Sequence, residues 1–130
     1  MPTANGTFEV SLTPQTQDAS PDTPKLGRLL LDKEFRGDLE GRSKGQMLSA
    51  GTNIENSASY VAIEYVTAKL HGRRGTFALM HNATMTLGVG KLNIIVVPDS
   101  GTDELTGLSG NMSIDISDGK HAYTFEYTLG

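Results

Sequence analysis

Apolar and polar residues alternate with a period of two in segment after segment of this chain, and this alternation restricts its fold more than any other feature. In Phe77–Met85, every second residue belongs to one largely apolar face, which consists of Phe77, Leu79, His81, Ala83 and Met85. Such a pattern predicts a half-buried β-strand, here with His81 on the apolar side. No segment of helical length has apolar residues at a spacing of 3.6, so we expect an all-β protein.

The same reasoning predicts about eight strands, at Thr7–Leu12, Leu29–Leu39, Gln46–Ala50, Tyr60–Leu70, Phe77–Met85, Leu92–Val97, Leu108–Ile116 and His121–Leu129. Glycine-containing turns are predicted at Gly41–Gly45, His71–Gly75 and Asp118-Gly119. Gln15–Pro24 is predicted to be a loop because it combines prolines with acidic residues. The simplest architecture is an antiparallel meander closed into a barrel, since closure removes unpaired edges. A two-sheet sandwich is the alternative.

Composition and charge restrict the classes of function. The 130 residues suit one domain with its own core. A net charge of −4, with no basic cluster longer than Arg73-Arg74, argues against nucleic-acid binding. The absence of cysteine fits a reducing cytosol, and no run of 18 apolar residues or basic, apolar leader is present. We therefore expect a cytoplasmic protein that does not bind membranes.

Several longer motifs carry a family resemblance. The segments FRGDLEGRSKGQML, YVAIEYVTAKLHGRRGTFALMHNATMT, VVPDSGTDELTGLSG and HAYTFEYTL resemble an uncharacterised bacterial family, a domain of unknown function, over roughly Phe35–Leu129. This resemblance implies an antiparallel β-barrel of the allene oxide cyclase type, whose relatives bind or isomerise apolar molecules inside the barrel. It implies no catalytic residues, and a fold alone does not establish an activity.

Motifs for several enzyme classes are incomplete. The G-x-S-x-G sequence at Gly41–Gly45 matches a hydrolase nucleophile elbow, but the residues that follow predict a return strand and not the required helix. No phosphate-binding glycine motif precedes a helix. The acidic residues of the 98–106 connection do not have EF-hand spacing, and the three histidines include no H-x-H or H-x-x-x-H pair. We therefore predict neither a metal nor a cofactor.

The candidate ligand-binding residues are His81, Glu64, Tyr123, His121 and Asn82. His81 is either hydrogen-bonded within a packed core or exposed to a cavity as an acid, base or polar anchor. Glu64 lies in the barrel interior if the parity of Tyr60 and Ala62 faces inward, and burial would then raise its pKa and make it a candidate proton donor or base. If Val61 and Ile63 face inward instead, Glu64 is an ordinary exterior charge, and the pattern favours this second arrangement.

The strand Leu92–Val97 is apolar on both faces apart from Asn93, which predicts that both faces are covered. Contact with another copy of the chain would cover the second face through Leu92, Ile94, Ile95 and Val96. Three functional hypotheses remain. The first is a β-barrel that binds a small, largely apolar ligand in its lumen; the others are an isomerase or cyclase using the same cavity and a structural homo-oligomer with a filled barrel.

Overall fold

Eight antiparallel strands form a closed barrel in the computed structural model, which describes residues 2–15 and 25–130. The strands are β1 (Thr3–Pro14), β2 (Leu26–Gly37), β3 (Leu39–Gly51), β4 (Ala58–Leu70), β5 (Arg73–Thr86), β6 (Val89–Val96), β7 (Leu108–Ser117) and β8 (Lys120–Leu129). Each strand pairs with its neighbours in sequence, and β8 pairs with β1 to complete the ring. The predicted meander barrel is confirmed. Of the loop predicted at Gln15–Pro24, residues 16–24 lie outside the described residues.

Tight turns fix the register of the hairpins. Asp118 and Gly119 have φ angles of 52° and 77°, and His71 and Gly72 have φ angles of 45° and 82°. Two successive residues with positive φ are typical of type I′ turns, whose twist matches that of the flanking strands. The turns predicted from Asp118-Gly119 and from the start of His71–Gly75 are therefore confirmed.

The turn predicted at Gly41–Gly45 is wrong, because both glycines lie inside β3. The chain reverses at Asp38, between β2 and β3. Gly45 is opposite Glu64 in the β3–β4 ladder, where an added Cβ would lie 2.1 Å from the carbonyl oxygen of Ile63. These glycines therefore allow close approach of neighbouring strands and do not form a hairpin turn.

One end of the barrel is packed with side chains. Phe77 and Phe125 stack with ring centroids 6.0 Å apart, and Leu105, in a short 3₁₀ helix at Asp103–Leu105, is fully buried. The 97–107 connection also bonds to β5, where the Ser100 hydroxyl accepts a hydrogen bond from the Ala78 N–H. We call this the closed end. The opposite end, where β2, β4 and β6 begin and β3 and β5 end, is the open end.

Candidate functional site

The interior face of β4 carries Glu64, which is fully buried. Val61 and Ile63 are instead exposed, at 52% and 57%. The favoured exterior position for Glu64 is therefore wrong. A strand exposes one parity regardless of hydrophobicity when neighbouring strands impose its register, and here Glu64 faces the lumen between Gly45 and Leu79.

Four buried polar side chains from four different strands meet in the lumen. Lys33 of β2, Ser43 of β3, Glu64 of β4 and His81 of β5 are each at most 4% exposed. The Glu64 carboxylate accepts hydrogen bonds from Lys33 Nζ at 2.8 Å, from Ser43 Oγ at 2.7 Å and from His81 Nε2 at 2.5 Å. We call these four residues the Glu64 cluster. Its carboxylate is satisfied by three donors, which is what a buried charge requires.

The local sequence explains how the Glu64 cluster fits inside the barrel. Lys33 has the same parity as Leu31 and Phe35 and therefore faces inward, with Nζ 4.9 Å from the centroid of the Phe8 ring. Cations are attracted to aromatic faces at this distance, so the ring partly replaces the lost water. Gly45 leaves room beside Glu64 because it has no side chain.

The charge of Glu64 is stabilised despite its burial. Burial raises the pKa of this carboxyl, but the hydrogen bond from His81 and the positive charge of Lys33 lower it more, and the net pKa is about 2. The rise in pKa predicted for an inward-facing Glu64 is therefore wrong, because hydrogen bonds and opposite charges at close range favour the ionised form. The carboxylate is therefore ionised at neutral pH and acts only as an acceptor.

His81 has one ring nitrogen left for other interactions. The ionised Glu64 accepts a hydrogen from Nε2, so in the neutral imidazole the lone pair lies on Nδ1. Nδ1 has no hydrogen-bond partner among the described residues, and no buried unpaired side-chain nitrogen or oxygen occurs in the described part of the chain. Nδ1 is therefore the ring nitrogen that remains for a hydrogen bond with another molecule.

A cavity of about 470 Å³ occupies the open end of the barrel. Its lining is mainly apolar and includes Leu29, Met47, Tyr60, Ala83 and Leu92. Ala83 is the next inward-facing residue after His81 on β5, about 6.6 Å further along the strand at 3.3 Å per residue. His81 therefore lies one inward-facing position below the lining of the cavity, and the other three members of the Glu64 cluster lie two positions below it on their own strands.

Tyr60 links the cavity to the Glu64 cluster. It lines the cavity, and burial together with the negative charge of Glu64 raises the pKa of its hydroxyl. Tyr60 is opposite Ala83 in the β4–β5 ladder, which makes it a diagonal neighbour of His81 on the same face. The hydroxyl is protonated at neutral pH and can donate a hydrogen bond to a molecule in the cavity.

The comparisons with known proteins agree with this architecture. A family model described as a protein of unknown function (DUF3224) matches residues 4–127. The chain belongs to the DUF3224 family. A crystal structure of a DUF3224 protein of unknown function from Shewanella oneidensis MR-1, at 1.84 Å resolution, has a TM-score of 0.95 and 49% identity, over 100% of this chain and 98% of that chain. No curated protein matches.

In this DUF3224 member the other predicted ligand-binding residues lie away from the Glu64 cluster. Asn82 is exposed on the outer face of β5. His121 is partly buried and packs against Phe8, with ring centroids 5.1 Å apart, beside a separate surface cleft. Tyr123 is buried in the core, where its hydroxyl accepts from the Leu39 N–H and bonds to backbone carbonyls. Its environment is that of a structural tyrosine.

The residues predicted to form an oligomer contact are divided between different environments. Ile94 and Val96 are 1% and 5% exposed and belong to the core, so they have no free surface for a partner. Leu92 lines the cavity at the open end, and Ile95 is partly exposed on the outside. Only one parity of β6 is buried within the chain, so cover of the other face by a second copy stays a prediction.

Sequence reasoning missed two members of the Glu64 cluster. Lys33 interrupts the apolar parity of β2, and a lone charge in an otherwise apolar row is the signal that could have found it. Ser43 was missed because it lies within Gly41–Gly45, which was predicted to be a turn and is part of β3. Among the described residues, no group of three or more histidine, cysteine, aspartate or glutamate side chains could hold a metal ion, and no helix could span a membrane.

Proposed function

We propose that this protein binds a small, largely apolar molecule in the open half of its barrel. The observation that carries the proposal is an apolar cavity of about 470 Å³ at the open end of the barrel, with His81 of the Glu64 cluster one inward-facing position below its lining. Ligand sites are typically concave, mostly apolar and of about 300–1,000 Å³, with a few convergent polar groups that fix orientation. The cavity and the cluster supply both requirements.

The lining indicates the chemistry of the ligand. Met47, Met85 and Leu92 supply flexible apolar surface, and methionine adapts to irregular shapes. The charges of Lys33 and Glu64 compensate each other at 2.8 Å, so the Glu64 cluster below the cavity does not present a strong net charge. A neutral molecule with one hydrogen-bonding group, directed at the Tyr60 hydroxyl or His81 Nδ1, suits this environment. The proposal includes a cytoplasmic location, in line with the cysteine-free sequence.

Methionine methyl groups provide a direct test. In protein labelled with ¹³C at the methionine methyls, titration with neutral alkanols and alkanones of six to ten carbons should shift the Met47 and Met85 resonances. Met80 lies on the outer face of the β5 strand that carries Met85, and it should not shift. Ligand at 100 times its dissociation constant should also add about 2.7 kcal/mol of stability. Shifts confined to Met80, or no shift for any ligand, would contradict the proposal.

A pair of variants on one strand controls for nonspecific effects. Ala83→Phe places a ring in the cavity and should abolish the Met47 shift, whereas Asn82→Phe adds the same ring on the exterior and should leave binding unchanged. Equal loss of binding in both variants would indicate a general disturbance of β5 and would count against a lumen site.

We also propose that copies of this chain associate through the outside of β4. The supporting observation is a row of exposed apolar side chains, Val61, Ile63 and Tyr65, which are 52–57% exposed, with exposed Leu48 opposite Val61. Contiguous exposed apolar surface is typical of interfaces. Sedimentation should show an oligomer that Ile63→Lys dissociates and Thr7→Lys, on an exposed polar site, does not. A monomeric wild type at high concentration would refute this proposal.

A further inference from the structure

The hydrogen-bonding pattern of the Glu64 cluster supports more than retention of a ligand. Glu64 fixes the His81 ring through Nε2 and leaves a lone pair on Nδ1, which has no partner among the described residues. A carboxylate that orients an imidazole in this way also stabilises the imidazolium that forms when Nδ1 takes a proton. His81 therefore has the local environment of a general base.

Small residues lie between His81 and the cavity on β4 and β5. Ala62 is the residue opposite His81 on β4, and Ala83 is the next inward-facing residue on β5. Both side chains are small, so little side-chain volume lies between the cavity and the imidazole on these two strands. A substrate that fills the apolar cavity can extend a carbon atom toward Nδ1.

A second group is placed to receive developing negative charge. Tyr60 is a diagonal neighbour of His81 on the inner face, and its protonated hydroxyl borders the same cavity. A preorganised O–H donor next to an apolar space stabilises an oxyanion more strongly than water does. A base for a C–H proton and a donor for an enolate oxygen thus lie at neighbouring positions of the inner face.

We propose that the barrel catalyses proton transfer at the carbon next to the carbonyl group of small apolar ketones, with His81 as the general base and Tyr60 as the oxyanion donor. This inference rests on the proposed function, because the ketone must occupy the lumen cavity. Its substrate class is an enolisable ketone, and its net reaction on a β,γ-unsaturated ketone is isomerisation to the conjugated α,β-unsaturated ketone.

The step balances without an additional reactant. His81 Nδ1 takes the α-proton, the C–H electron pair becomes the carbon–carbon double bond of the enolate, and the carbonyl π pair moves to oxygen, where Tyr60 donates a hydrogen bond. The imidazolium then returns a proton to the α-carbon or, in a β,γ-unsaturated ketone, to the γ-carbon. Glu64 is a positioning residue, since it acts through His81 and not on the substrate.

Deuterium exchange tests the proposal. In D₂O, wild-type protein should accelerate loss of the α C–H signals of 2-octanone and the conversion of 3-cyclohexen-1-one to its conjugated isomer, followed by NMR and ultraviolet absorbance. His81→Gln should lower both rates by about 100-fold or more, within the usual range for a general base. Tyr60→Phe should lower them by about 100-fold, the usual effect of losing an oxyanion donor. Glu126→Gln, on an exposed position of β8, should leave both rates unchanged.

The Met47 methyl shift separates binding from catalysis. Ketone binding without exchange above the buffer rate would overturn the proton-transfer proposal and leave the binding proposal intact. No ketone-induced shift and no exchange would overturn both. Exchange that survives both His81→Gln and Tyr60→Phe at unchanged occupancy would also overturn the assignment. His81 is buried, so its replacement can unfold the barrel. Tyr60 is less buried, and the Tyr60→Phe variant therefore tests the proposal even if His81→Gln does not fold.

Discussion

Replacement of Glu64 by glutamine tests the electrostatic role of the Glu64 cluster quantitatively. The pKa of Glu64 is lowered from 4.5 to about 2 in the folded chain. Each pKa unit corresponds to about 1.4 kcal/mol, so the ionised carboxylate contributes about 3 kcal/mol to folding. Removal of one partner from a buried ion pair costs about 3–5 kcal/mol, which is the same order. Glu64→Gln should therefore lower the free energy of unfolding by about 3 kcal/mol at pH 7.

The pH dependence has a definite sign. Because the folded pKa lies below the unfolded one, the unfolded chain binds more protons between pH 4.5 and 2. The contribution of Glu64 to the free energy of unfolding is fully present above pH 4.5 and is lost as the pH falls toward 2. The stability difference between wild type and Glu64→Gln should therefore shrink across this range, while contributions from the other carboxylates cancel.

Urea denaturation at a series of pH values measures this difference. Glu126→Gln, on an exposed position of β8, is the matched control and should change stability by less than about 0.5 kcal/mol. The reasoning is refuted if Glu64→Gln is as stable as the control at pH 7. It is also refuted if the difference from wild type stays constant down to pH 2.

Two further predictions concern the packing that surrounds the Glu64 cluster. Gly45→Ala should destabilise the barrel by about 1–3 kcal/mol or more in urea denaturation, because the added methyl would lie 2.6 Å from Glu64 Cα. Gly90→Ala is the control and should be near neutral, because no atom lies within 4 Å of its added methyl. Equal effects of the two substitutions would contradict this account. Tyr123→Phe should cost about 1–3 kcal/mol, because the buried Leu39 N–H loses its acceptor at 2.9 Å; an unchanged thermal midpoint would be the contrary result.

Most of the fold was predictable because the alternation of side chains is a local property. The β5 pattern around His81 was assigned to the correct face, since Phe77 and Leu79 outweigh its single polar member. The β2–β3 turn was misplaced because Gly41 and Gly45 read as turn residues. Their actual role, to leave room for Ala68 and Glu64 on the neighbouring strand, depends on a register that sequence spacing does not reveal.

The predicted orientation of Glu64 was wrong for a related reason. Both parities of β4 contain apolar residues, so hydrophobicity alone favoured burial of Val61 and Ile63. The inward orientation of Glu64 depends on its ion pair with Lys33, which is 31 residues away in sequence and reaches the lumen from β2. A buried charge becomes acceptable only when its partner is also buried, and this pairing is a property of the closed barrel.

The energetics of the Glu64 cluster separate a structural role from a functional one. Buried ion pairs contribute little net stability, since apolar residues of similar volume in their place are often neutral or stabilising by about 1–4 kcal/mol. The combined variant Lys33→Met/Ser43→Ala/Glu64→Leu/His81→Leu removes every polar member at once and leaves none of their partners unpaired. It should unfold in urea at a midpoint equal to or above that of wild type and should have lost α-proton exchange on 2-octanone. A folded variant that retains exchange would exclude the cluster from the chemistry. Glu64→Gln leaves the buried Lys33 charge unpaired, whereas the combined variant leaves no buried charge. A combined variant far less stable than Glu64→Gln would therefore show that the four polar residues are required for the barrel itself.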